Sequence, residues 1–216
     1  MSPRDDIIRS VMEGGRPPFL YRWYCRLGRL VRAPWHRMRF RSFGNGARLD
    51  FPAFVIGTRA IEIGDRALIG RGARFEAHFT DEGQTRIRIG PRTRIAPHVH
   101  IGAAGLVEIG AECGIGSYTW ITDHDHDTSD PRNSVVAHKR ICISPTVIED
   151  GVYIGERVAI LRGVRIGRGS VIGTNSVVLH DVPPYSIAAG VPARVIKRFD
   201  PELGSWIRVS HADRAG

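Results

Sequence analysis

The residues best suited to chemistry stand together in the stretch Thr122-Asp123-His124-Asp125-His126-Asp127. Imidazole, with an ordinary pKa near ~6.5, can take a proton from an attacking hydroxyl or amine close to neutral pH. A carboxylate bonded to the other ring nitrogen would fix the tautomer and stabilise the imidazolium. Asp123, Asp125 and Asp127 are the candidates for that carboxylate. Residues two apart in extended chain face the same side, so His124 and His126 both qualify as the base. Taken alone, the stretch also reads as a polar loop with solvated histidines. Two His and three Asp are chemically adequate metal ligands as well.

Whether such a stretch does chemistry depends on what holds it. Twenty-five glycines in 216 residues call for a positional explanation, because glycine costs conformational entropy wherever it is not needed. Many follow an aliphatic residue, and the aliphatic residues recur at a fixed step. Ile148, Ile154, Ile160, Ile166, Ile172 and Val178 are each six residues apart. Shorter runs in the same rhythm are Ile63, Ile69, Phe75; Ile89, Ile95, Ile101; and Ile109, Ile115, Ile121. A period of six fits neither an amphipathic helix nor an alternating strand. It fits a parallel β-helix of hexapeptides, in which three hexads close one coil and the aliphatic side chains stack inward. The glycine after each aliphatic residue is expected at a corner that needs an unusual φ. An all-β sandwich would not hold one phase over six hexads.

The rhythm slips in three places. Phe75 to Ile89 and Ile101 to Ile109 each carry two residues too many, which predicts small bulges in the coil. Ile121 to Ile148 holds a longer excursion, with the His-rich stretch at its start. Loops on a rigid scaffold are where function concentrates. The expected organisation is a basic arm or cap over residues 1–45, an all-β hexapeptide-repeat β-helix over 46–188 with a loop at 122–145, and a C-terminal segment over 189–216. Ala193 to Phe199 is expected as a strand and Glu202 to Val209 as a short helix.

From Ile148 to Lys197 the chain reads IEDGVYIGERVAILRGVRIGRGSVIGTNSVVLHDVPPYSIAAGVPARVIK. This resembles the hexapeptide-repeat acyltransferases, whose β-helix is left-handed. The segments DVPPY and AGVPARVI are similar to the end of the coil domain in the maltose, galactoside and sugar O-acetyltransferase branch. The resemblance spans about residues 55–198. It implies a homotrimer that moves an acetyl group from acetyl-CoA to a hydroxyl of a saccharide or nucleotide-linked sugar, with a histidine base. Counting without gaps from Val107-Glu108-Ile109-Gly110 selects His126. Matching the family's His-x-x-Asp followed by Arg-Asn selects His124, with Asp127 three places on and Arg132-Asn133 beyond.

By the same resemblance Glu156 and Thr174 line the pantetheine channel. Leu179 and His180 stand where the family often has Thr-Lys, and Arg194 and Lys197 lie by the adenosine phosphates of CoA. No cysteine lies in the His loop to carry an acyl group, which implies direct transfer in a ternary complex. The fold also hosts γ-class carbonic anhydrases with a His-x-x-x-x-His zinc pair, and no two histidines here have that spacing, so no metal is expected. The alternatives are N-acetylation of an amino sugar and a non-catalytic β-helix scaffold tethered by its basic arm. A serine acetyltransferase fits less well, since that branch carries a long helical domain before the coils.

The formal charge is +9, and only Lys139 and Lys197 among 31 basic residues are lysine. Such a chain favours anionic partners. Leu20, Trp23, Tyr24, Leu27, Leu30 and Val31 recur at helical spacing, opposite Arg22, Arg26, Arg29 and Arg32. That helix is expected to cap the open end of the coil. Peripheral contact of residues 19–41 with an anionic membrane is a second use. Nucleic-acid binding is not expected, because no sequence-reading motif accompanies the charge. Cys25, Cys113 and Cys142 form no CxxC pair and leave an odd thiol, which excludes a disulfide scaffold and fits a cytoplasmic protein.

Overall fold

The computed structural model describes residues 35–79, 83–132, 134 and 140–209. The helix expected around Leu20–Val31 lies outside the described residues, as do Asn133 and the end of the C-terminal segment. The chain divides into a unit ending at Met38 and a unit from Arg39 onward.

Three parallel sheets wind around one apolar interior. Each strand pairs with the strand one coil away, so an inner column grows from equivalent hexad positions. In the first sheet Phe43 pairs with Ile63, Ile63 with Ile89, Ile89 with Ile109, Ile109 with Ile148, and Ile148 with Ile166. In the second, Leu49, Ile69, Ile95, Ile115, Ile154 and Ile172 form the column. In the third it runs Val55, Phe75, Ile101, Ile121, Ile160 and Val178. Nearly all of these side chains are buried and form one continuous core. Burial of this repeated aliphatic surface between neighbouring coils is what drives the winding.

The glycines work differently from the expectation. Those after the aliphatic residue do not carry the unusual φ. A Cβ on Gly90 would lie 2.3 Å from the carbonyl carbon of Gly110, and one on Gly116 would lie 2.5 Å from that of Gly155. They are glycine because coil packs on coil there, backbone against backbone. The positive φ falls two residues later and is borne largely by other residues, among them Arg92 at 59°, Glu112 at 57°, Tyr118 at 61° and Asn175 at 59°.

The last coil ends in an antiparallel extension of the second sheet. Ser186–Gly190 pairs with Ala193–Asp200, which pairs with Ser205–Arg208. The expected strand is present, and a second strand stands where a short helix was expected. Asp200 Oδ1 accepts the N–H groups of Glu202 and Leu203 at 2.9 and 3.0 Å and tightens the turn. The Phe199 and Trp206 rings then meet edge to face across the pair, 5.5 Å between centroids. That cross-strand contact overrides a local helical preference. No helix among the described residues is long and apolar enough to cross a membrane.

Candidate active site

The second phase slip builds the site. The two residues added between Ile101 and Ile109 bulge the chain at Ala104 and Gly105, which turns two backbone N–H groups toward the following coil. Both donate to the Asp123 carboxylate, Ala104 to Oδ1 at 2.8 Å and Gly105 to Oδ2 at 2.6 Å. Asp123 is wholly buried. A Cβ on Gly105 would stand 2.5 Å from Ile143 Cγ2 and 3.2 Å from Asp123 Oδ2, so this approach needs glycine.

Asp123 Oδ1 also lies 2.9 Å from Nδ1 of His124. A carboxylate can only accept, so the hydrogen sits on Nδ1 and the lone pair on Nε2. Thr122 supports the same ring: its Oγ1 accepts the His124 N–H at 3.2 Å, donates to the His124 carbonyl at 3.0 Å, and stands 3.2 Å from Nδ1. Thr146 Oγ1 fixes Thr122 in turn, donating to its carbonyl at 2.8 Å. Nε2 of His124 makes no hydrogen bond to a described residue, and the side chain is 23% exposed. The geometry is that of an oriented imidazole with one basic nitrogen facing out.

The surroundings of this ring include residues that sequence reasoning missed. His78 meets it edge to face at 5.5 Å. Gly102 lies close by, since a Cβ there would be 3.5 Å from His124 Cε1 and 4.0 Å from His100 Nε2. His100 Nε2 is 2.9 Å from Glu76 Oε2, and Glu76 Oε1 accepts from Arg74 at 2.8 Å. The Arg74 hydrogen bond holds the Glu76 carboxyl below its usual range against the opposing effect of burial, with His100 adding to the lowering. The signal was available, because the residue before an inward aliphatic of the third sheet must face out, which places His100 before Ile101 on the outer face.

His126 has a different setting. His124–His126 pairs antiparallel with Ile141–Ile143, forming a hairpin that leaves the coil. His126 is exposed and lines a separate hollow of about 510 Å3 with Asp127, Cys142 and Arg162. Asp125 is bound to Arg162, 3.1 Å away. The hairpin also corrects one premise: Cys142 stands directly opposite Asp125, so a thiol does lie against the His-rich strand. Cys113 is buried, and burial is the first cause that pushes its thiol up. Among the described residues no three His, Cys, Asp or Glu side chains converge as a metal-binding group.

The residues expected to hold the cofactor fall into three places. Glu156 and Thr174 stack on one corner of the coil, where a Cβ on Gly155 would lie 2.6 Å from the Thr174 nitrogen. Leu179 and His180 are exposed just after the third sheet's last strand. Arg194 and Lys197 lie on Ala193–Asp200, where Arg194 donates to the Ala193 carbonyl at 3.2 Å and neither has a carboxylate partner among the described residues. No hydrogen bond joins any of these to His124. Glu156 also closes one end of a groove of about 430 Å3 along the outer face of the second sheet, with Arg48, Leu68, Arg94, Gly114 and Tyr153.

Residues 145–180 match the bacterial transferase hexapeptide (six repeats) family. Over 189 residues the chain is 34% identical to the putative lipopolysaccharide biosynthesis O-acetyl transferase WbbJ of Escherichia coli, covering 84% of this chain and 93% of that one. The hexapeptide-repeat acetyltransferase VCA0836 of Vibrio cholerae, solved with acetyl-CoA, superposes with a TM-score of 0.59 at 27% identity, over 79% of this chain and 78% of that one. The N-acyltransferase AntD of Bacillus cereus, solved with dTDP and 3-hydroxybutyryl-CoA, reaches a TM-score of 0.67 at 22% identity, over 79% of this chain and 89% of that one, and shows likeness of fold.

Proposed function

The chain belongs to the hexapeptide-repeat acyltransferases, the left-handed parallel β-helix enzymes, and on that premise we propose that it acetylates a hydroxyl of a saccharide or nucleotide-linked sugar from acetyl-CoA. The observation that carries the catalytic part is the Asp123–His124 pair, with Nδ1 tied to a buried carboxylate and Nε2 free. Nε2 takes the proton of the acceptor hydroxyl as its oxygen attacks the thioester carbonyl. The tetrahedral intermediate collapses with loss of the CoA thiolate, which recovers the proton from the imidazolium. The products are the acetyl ester and free CoA. Acetyl-CoA as donor sets the reaction in the cytoplasm. The O-acetyltransferase relative supports hydroxyl over amine as the acceptor group.

His124 stands beside the third sheet, whereas the groove bearing Glu156 runs along the second. The homotrimer is carried over from the family resemblance, and in it His124 of one chain would meet the groove of another. The test is thiol release from acetyl-CoA against a panel of sugars and nucleotide sugars, with sedimentation under the same conditions. Release that depends on an acceptor, from a trimer, is the expected result; an ester product is cleaved by mild hydroxylamine and an amide is not. Cys142→Ser should keep wild-type turnover if transfer is direct. No acceptor-dependent release would favour the non-catalytic scaffold, and full activity in a monomer would remove the intersubunit site.

Arg194 is the cation proposed for the CoA phosphates, since its guanidinium is committed to one backbone carbonyl alone. A charge-assisted phosphate contact is worth about 1.5–3 kcal/mol. Arg194→Ala should therefore raise the KM for acetyl-CoA by roughly tenfold or more, with a smaller change in kcat. With acetyl-pantetheine, which lacks the nucleotide phosphates, the rise should vanish. Equal losses with both donors would make Arg194 a support of the terminal strands.

A further inference from the structure

The arginines of this chain are treated differently on two of its sheets. On the first sheet the outward column runs Glu62, Arg88, Glu108, and each guanidinium there has a carboxylate. Arg41 and Arg88 bind Glu62 at 3.1 and 3.0 Å, Arg88 binds Glu108 at 3.1 Å, and Arg165 binds Glu149 at 2.8 Å. On the second sheet the outward column runs Arg48, Leu68, Arg94, Gly114, Tyr153. It contains no acid. Neither Arg48 nor Arg94 makes a side-chain hydrogen bond or ion pair with a described residue, although Asp50 and Glu156 line the same groove.

The groove has a graded character along its length. Gly114 leaves a gap in the column, and the Tyr153 ring leans over it, so that a Cβ on Gly114 would lie 3.0 Å from Tyr153 Cδ2. Beyond the gap come Arg94, the apolar Leu68 and then Arg48. At ~4.8 Å between strands, Arg94 stands roughly 10 Å from Tyr153 and Arg48 another 10 Å further on. A phenol ring offers a face to a sugar, and guanidinium forks match phosphate oxygens in bidentate fashion. The phosphates of CoA are a poor fit for this pair. Their proposed cations, Arg194 and Lys197, lie five strand spacings from Arg94 on the same sheet, roughly 24 Å away.

We propose that this groove binds a pyrophosphate-linked sugar as acceptor, the sugar toward Tyr153 and Glu156 and the pyrophosphate on Arg94, with Arg48 serving the outer phosphate or what lies beyond it. The proposal rests on the acyltransferase reading and narrows its acceptor to an anionic one. A nucleoside diphosphate sugar and a polyprenyl pyrophosphate sugar share this chemistry.

The test is direct binding to the full chain by calorimetry, so that it stands apart from turnover. The probes are UDP-glucose, farnesyl-pyrophosphoryl glucose, inorganic pyrophosphate and free glucose. The pyrophosphate-bearing probes should bind at least tenfold tighter than glucose, and whichever glycoside binds tighter identifies the source. Arg94→Gln should weaken them about tenfold, and Arg48→Gln less. The affinity for acetyl-CoA should not change in either variant. Absence of preference over glucose, an unchanged Kd in Arg94→Gln, or an equal loss of acetyl-CoA affinity would each overturn the proposal. Failure of thiol release with intact binding would instead fault the acyltransferase reading.

Discussion

Replacing His124 with alanine is expected to lower kcat by roughly 10²-fold or more, as for loss of a general base. The KM for acetyl-CoA should stay close to wild type, because none of the residues proposed to hold CoA touches this ring. His126→Ala should cost far less. Both histidines lie on one short strand, yet only His124 has a buried carboxylate at Nδ1. Of the two acids adjacent to His126, Asp125 is engaged with Arg162 and Asp127 Oδ1 accepts the Ser129 N–H. The comparison is internal, since both variants remove an imidazole from the same hairpin. If His126→Ala loses turnover while His124→Ala keeps it, the base is His126. If the double variant keeps wild-type kcat, neither histidine acts as a base.

The coil was legible in the sequence because its physics is local and repeated. Each inward aliphatic must stack on an equivalent one, and each corner glycine must admit the backbone of the next coil, so the requirement recurs every six residues. The Ile148–Val178 run needs no long-range information. The phase slips were legible as bulges, but not as what they do. Nothing in Ala103-Ala104-Gly105-Leu106 announces that its N–H groups grip a carboxylate eighteen or nineteen residues later. That contact depends on coil register, and the register varies: Ile89 pairs 20 residues ahead with Ile109, but Ile109 pairs 39 ahead with Ile148. The same variation hid the Arg48–Arg94 column and the approach of Cys142 to Asp125. Both join residues on different coils or across the excursion, where no fixed period brings them together.

The carboxylate in that notch is the second place where a single change should have a large effect. Asp123 receives two backbone N–H bonds and orients His124, and it is wholly buried. Asp123→Ala removes all three interactions and leaves the buried Ala104 N–H and the half-buried Gly105 N–H without partners, a loss of about 1–3 kcal/mol for the buried one and less for the other. A drop in Tm and in turnover together would follow, which does not separate structure from chemistry. Asp123→Asn does. The amide keeps the shape, and its oxygen can accept from one side. Its NH2 must then face either the Gly105 N–H, or the Ala104 N–H and Nδ1–H together, donor against donor. In the second orientation one relief is for His124 to switch its hydrogen to Nε2, which removes the basic lone pair from the side where the acceptor would sit; in the first the tautomer is kept and the negative charge that stabilises the imidazolium is lost. The expected signature is kcat lowered by roughly 10²-fold or more, with Tm falling by only a few degrees and the KM for acetyl-CoA unmoved. Should Asp123→Asn keep wild-type kcat, the carboxylate's charge would not serve catalysis, and Asp123 would act as a structural clasp for the bulge.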